Sequence, residues 1–277
     1  IIDRGRSSKG RFLLLGSAQP TLVRHVSESL AGRVGILELD PLTAREARSG
    51  RPARSWKEIW LRGGFPDALR SSLFREWWEA YLRTYIERDL PHLGVGADSI
   101  LLRRLLTMLA HAQGGLLNAS SLGQSLGVNY HTVQRYLDIL EQTFLIRMLP
   151  PYFRNIRKRL VKAPKVYLRD TGLLHHLLNV ASITELDQHP VRGASWETFV
   201  IEDMIRREKL RYPHSQFYFW RTATGLEADL VVDRGSERFA LEIKAGRGDK
   251  SEVSRSLEQI CADIGAKALW VLDQADG

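Results

Sequence analysis

No stretch of this chain approaches the ~20 consecutive apolar residues that a bilayer-spanning helix needs. Cysteine is nearly missing. Cys261 stands alone, which excludes an internal disulfide framework and a cysteine-cluster zinc site. No signal peptide is visible where Ile1-Ile2-Asp3-Arg4 leads into basic, polar sequence, and the expected compartment is the cytoplasm. The phosphate-binding pattern G-x-x-x-x-G-K-[ST] does not occur, and no apolar strand ends in the paired acids that hold Mg²⁺. Without these groups nothing cradles β- and γ-phosphates, so these residues are not expected to hydrolyse ATP by themselves.

What is present suits an ordinary globular protein. The 277 residues are 44% hydrophobic and 26% charged, enough for two or three domains with their own cores. The net charge of +8 is uneven: +5 over residues 1–96, +7 over 97–180 and −4 over 181–277. The middle third is therefore the expected nucleic-acid face, and the last third gathers carboxylates.

Arg11-Phe12-Leu13-Leu14-Leu15 reads as a buried strand stopped by Gly16-Ser17. A helix near 20–30, a strand over 34–39 and a helix opening at 41–47 follow. Aromatic and aliphatic residues from Phe74 to Ile86 recur at three- and four-residue spacing, predicting a helix that Pro91 ends.

The middle part carries a helix-turn-helix pattern. Ala119–Leu126 is a short helix, Gly127-Val128-Asn129 a turn, and Tyr130–Glu141 a second helix with Val133, Leu137 and Leu140 inward. Its outer side offers Asn129, His131, Thr132, Gln134 and Arg135, all able to contact base edges or phosphates of double-stranded DNA. A strand at 144–149 and a Pro150-Pro151 turn lead into a basic run, as in a wing. Arg154, Arg157, Lys158, Arg159, Lys162, Lys165 and Arg169 fall there with no acidic residue among them. On the residues alone the run is also readable as a solvated face.

The last part predicts a helix over Trp196–Leu210 capped by Ser195, then strands at 217–220, 226–233 and 238–245. A helix near 251–263 and a strand at 268–272 complete the set. In Arg238–Ala245 the residues Glu242 and Lys244 project from one face while Leu241 and Ile243 project from the other. Antiparallel pairing across Arg234-Gly235-Ser236 sets Asp229 roughly opposite Glu242. Two carboxylates can hold Mg²⁺ or Mn²⁺ through oxygen, and a lysine beside them can orient an attacking water. A surface ion pair explains Glu242 and Lys244 equally well. His175-His176 has no companion ligands at metal spacing and reads as helical.

Taken together, RFLLLGSAQPTL (residues 11–22), ESLAGRVGILELDPLTARE (28–46), Gly63-Gly64-Phe65-Pro66 and YLRTYIERDLP (81–91) resemble a family of bacterial and archaeal AAA-type ATPases. That family ends in a winged helix and a restriction-endonuclease-like, PD-(D/E)XK, domain. The resemblance implies an α/β multidomain chain. Residues 1–50 would be the remnant of a P-loop ATPase sheet and 51–96 a helical lid. Residues 97–180 would be a winged helix-turn-helix and 181–277 a mixed α/β endonuclease-like domain. It makes Ser17 the sensor near an ATP γ-phosphate and Arg33 an arginine finger, although a turn residue and a surface arginine fit those positions too. It adds Glu197 to Asp229 and Glu242 as metal ligands and gives Lys244 the water. The expected function is DNA binding with metal-dependent phosphodiester cleavage, coupled to ATP by a module upstream of Ile1. Homo-oligomerisation through that module and absence of membrane association are also expected. The rival is a non-catalytic regulator whose endonuclease-like domain is a structural platform.

Overall fold

Two reciprocal Ser/Thr-x-x-Glu caps open the described chain. Thr43 with Glu46 starts α1 (Ala44–Ser49), and Ser55 with Glu58 starts α2 (Trp56–Arg62), each pair exchanging side-chain and backbone bonds at the helix N-terminus. The computed structural model describes residues 38–50, 54–92, 96, 98–152, 162–222, 225–246 and 260–273, all within one compact unit, Leu37–Gly277. The elements expected at 11–15 and 20–30 lie outside the described residues.

Proline at the first turn starts α3 (Pro66–Arg70). The aromatic helix then forms as α4 (Phe74–Thr84), burying Trp78 and Leu82. It does not stop at Pro91. The chain widens into a π-turn over Tyr85–Asp89, where Leu90 N–H reaches back to the Tyr85 carbonyl, and continues as α5 (Leu90–His92). Proline clashes with the carbonyl four residues earlier, and a wider turn relieves that clash without ending the helix.

Helices α6 (Ser99–His111), α7 (Ala119–Leu126) and α8 (Tyr130–Gln142) follow, each with an Asp or Asn side chain capping its first backbone N–H groups. Gly127 joins α7 to α8 at φ 71°, a left-handed turn that glycine takes without steric cost. Leu122, Leu126, Val133 and Leu137 share a core with Leu102, Leu105 and Leu109 of α6 and with Trp78 and Leu82 of α4. The strands β1 (Ile146–Leu149) and β2 (Lys165–Leu168) form an antiparallel ribbon, paired from Ile146↔Leu168 to Leu149↔Lys165.

Helices α9 (Thr171–Leu177) and α10 (Ile183–Gln188) lead to the long α11 (Arg192–Arg211). The expected cap at Ser195 is corrected here. Ser195 lies inside α11, fully buried, accepting from Trp60 Nε1 at 2.9 Å and bonded to His175 Nε2 at 2.7 Å. A buried hydroxyl serving indole and imidazole is not free to cap. His175, enclosed on α9, has its pKa lowered by burial to about 4.

A four-stranded mixed sheet, order β3-β4-β5-β6, ends the chain: β3 (Gln216–Arg221), β4 (Glu227–Asp233), β5 (Arg238–Lys244) and β6 (Ala268–Asp273). The first three are antiparallel and β6 runs parallel to β5. Val200, Ile201 and Ile205 of α11 cover one face against Phe219, Leu230, Val232, Leu241 and Ile243. Trp220, Ala228, Val231 and Ala240 meet Ile260 and Ile264 on the other. The molecule is a mixed α/β protein with helices on both sides of this small sheet.

Candidate functional site

The β3–β4 register slips between Tyr218↔Val231 and Trp220↔Ala228, a bulge that sits at Asp229. The β4–β5 ladder ends at Leu230↔Leu241, one step before Asp229 and Glu242. Asp229 Oδ2 instead accepts from the Ile243 backbone N–H at 2.8 Å. Side chains from β2 and α11 converge on this end of the sheet.

Lys165 is at the centre of the cluster. It is 4% exposed, with Nζ 2.6 Å from Glu227 Oε1, 3.0 Å from Glu197 Oε1 and 3.6 Å from Asp229 Oδ1. Tyr167, two residues along β2, donates its hydroxyl to Glu197 Oε1 at 2.6 Å. Lys244 pairs with Glu242 Oε1. Glu242 Oε2 is buried and finds no hydrogen-bond partner among the described residues.

Burial, with Glu197 and Glu242 repelling, pushes Asp229 up to about 7 despite the opposing pull of Lys165. Burial alone would lower Lys165, but Glu197, Asp229 and Glu227 together hold it well above the ordinary lysine range. The expected neighbours Asp229, Glu242, Lys244 and Glu197 thus share one region, joined by Glu227 and Lys165, which the sequence reading had not placed there.

Lys165 was expected on a DNA-facing wing, and that reading is corrected: its strand is buried at every position and its charge is spent on carboxylates. Arg169, from the same basic run, is also buried, paired with Glu38 at 2.8 Å, with Asp40, and with Glu202 at 3.4 Å.

These residues do not fit a divalent ion as they stand. Among the described residues no three His, Cys, Asp or Glu side chains are arranged to hold a metal. Glu197, Glu227 and Asp229 already surround an ammonium group, and Glu242 is tied to another.

The other expected surface is on α8. Asn129 is exposed but accepts from Thr132 N at 2.8 Å as the helix cap, and half-buried Gln134 bonds Asp138 at 3.0 Å. His131 and Arg135 are exposed, with the Arg135 guanidinium 5.3 Å from the Tyr136 ring centre. Lys162 is exposed in the segment that leads into β2. Arg154, Arg157, Lys158 and Arg159, like Ser17 and Arg33, lie outside the described residues.

A second ion cluster joins the ribbon to α11. Glu202 receives Arg147 through two nitrogens, with Arg169 and Arg206 beside it. Next to it Asp170 accepts from Gly64 N at 2.8 Å and Gly172 N at 2.8 Å.

Two families match the sequence, both described as domains of unknown function: DUF8612 over residues 53–184 and DUF4143 over residues 192–276. Uncharacterized proteins of Mycobacterium tuberculosis and Mycobacterium bovis are each 42% identical over 257 residues, 92% of this chain and 56% of their own length. An uncharacterized Haemophilus influenzae protein is 24% identical over 182 residues, covering 60% of this chain and 46% of its own. The chain therefore spans about half the length of these curated relatives. No solved structure matches it.

Proposed function

We propose that this chain is the duplex-DNA-binding part of a longer AAA-type ATPase, and that its endonuclease-like domain is a structural platform that does not cleave. ATP hydrolysis belongs to a module outside these residues. The observation that carries the reading is the outer side of α8. It presents exposed His131 and Arg135 on the second helix of a glycine-turned pair. Exposed Lys162 lies in the segment that leads into β2, within a basic run.

A helix in this setting suits a major groove, and its flanking cations suit phosphates. The bulged strand with Asp229 beside Glu242-x-Lys244 supports the endonuclease-like resemblance. Buried Lys165 among its carboxylates supports the absence of metal-dependent chemistry.

Anisotropy with a fluorescent duplex tests the DNA reading. Affinity is expected to fall steeply with salt, and Arg135→Glu is expected to weaken binding and flatten the salt dependence by about one counterion. Reversing Arg157, Lys158 and Arg159 together should weaken all duplexes about equally. Binding unchanged by both variants would assign the surface to a protein partner. Plasmid cleavage with Mg²⁺ or Mn²⁺ is expected to stay at background, and any cleavage lost in Glu242→Gln would restore the nuclease reading.

A further inference from the structure

The acidic cluster poses a question of charge. Three carboxylates from two elements converge here, half-buried Glu197 on α11 and half-buried Glu227 and buried Asp229 on β4. Such a group requires a cation, and in a site of this kind a divalent ion supplies it through oxygens at about 2.0–2.6 Å.

Here the cation is covalently attached to the chain. We propose that Lys165 is a tethered replacement for a divalent ion, making the cluster complete without metal, and that removing its ammonium group converts the cluster into a divalent-cation site. The inference rests on the platform reading and deepens it.

Several observations agree. The ammonium has three donors, and three carboxylates surround it at 2.6, 3.0 and 3.6 Å. The strand that carries Lys165 is held from both sides, its backbone pairing with Leu149 and bridging to Leu116. Its Nζ lies over the Phe219 ring, 5.7 Å from the ring centre. Tyr167 fixes Glu197 from the same strand, so β2 supplies both the charge and the hydrogen bond that orients one of its partners. A tethered cation also carries no exchangeable water. A metal that activates a nucleophile needs an open coordination position, and an ammonium group has none.

The test uses Mn²⁺ as the probe, read by the loss of its free-ion electron paramagnetic resonance signal and by the shift in melting temperature. Wild-type protein is expected to take up no Mn²⁺ and to melt at the same temperature with Mn²⁺ or a chelator. Lys165→Ala is expected to bind one Mn²⁺ and to melt higher in its presence, since a ligand that binds only the folded state stabilises it. Adding Asp229→Asn to Lys165→Ala should abolish both effects. If Lys165→Ala does not fold, Lys165→Gln with Glu227→Gln, which keeps the net charge, carries the same test through Glu197 and Asp229.

Wild-type Mn²⁺ uptake that Asp229→Asn abolishes would overturn the inference, as would a folded lysine variant that binds none. Wild-type cleavage of DNA would overturn the platform reading as well. Absence of cleavage together with a folded, metal-blind variant would overturn the inference alone.

Discussion

Replacing Glu202 with glutamine leaves three guanidinium groups facing a neutral amide. Glu202 is 2% exposed, and Arg147, Arg169 and Arg206 all reach its oxygens. Burial opposes its ionised form, yet those arginines hold the carboxyl down to about 2 from the ordinary 4.5. A carboxylate bound that much more tightly in the fold contributes on the order of 3 kcal/mol of stability above about pH 5. The contribution is lost as pH falls through the folded value, leaving about 2 kcal/mol at pH 3.5 and little below about pH 2. Breaking a buried ion cluster from one side costs about 3–5 kcal/mol by independent reasoning, and the two routes agree. Urea unfolding followed by tryptophan fluorescence measures the gap between wild type and Glu202→Gln. It should be about 3–5 kcal/mol at pH 7 and narrow by more than about 1 kcal/mol at pH 3.5. His175 titrates in the same window but is present in both proteins, so its effect cancels. A gap under about 1 kcal/mol at pH 7, or one that does not narrow in acid, would refute the argument.

Asp229→Asn tests the opposite sign. A carboxyl raised to about 7 by burial and like charges destabilises the fold as pH rises from 4 to 7. The asparagine variant should therefore gain roughly 2–3 kcal/mol more at pH 8 than at pH 5, and a gain that does not grow with pH would contradict this. Gly172→Ala sets a methyl 2.0 Å from the Arg62 carbonyl oxygen and should cost about 3 kcal/mol or more in thermal unfolding. Gly193→Ala, in open space on α11, is the control and should stabilise by about 0.5–1 kcal/mol. Lys162→Glu should weaken duplex binding without lowering the melting temperature, because its side chain is exposed.

Local signals were legible in the sequence where they decide structure locally. Gly127 as a turn and the alternation around Leu241 and Ile243 lead directly to the α7–α8 turn and to β5, while Asn129, expected to contact DNA, caps α8 instead. The approach of Asp229 to Glu242 follows from strand pairing across a short turn. Lys165 was misread because a basic run without acids looks solvated when its partners are far along the chain. One signal was available: Lys165 and Tyr167 share a strand side, as do Glu227 and Asp229, and two matched pairs of opposite chemistry invite each other. Ser195 was misread because the demand on it comes from Trp60 and His175, which no local pattern reveals. The continuation of the helix to His92 escaped notice because a π-turn leaves no mark in hydrophobic spacing.

The meeting of Gly63, Gly64 and Gly172 around Asp170 has a mechanical consequence. A β-carbon on Gly63 would fall 1.8 Å from an Asp170 oxygen, and one on Gly172 would fall 2.0 Å from the Arg62 carbonyl oxygen. Backbones that touch this closely cannot slide or bend past one another, so the joint between α2 and α9 works as a weld. The end of α2 and the start of α9 therefore move as one piece, with Asp170, just past the end of the ribbon strand β2, held between them.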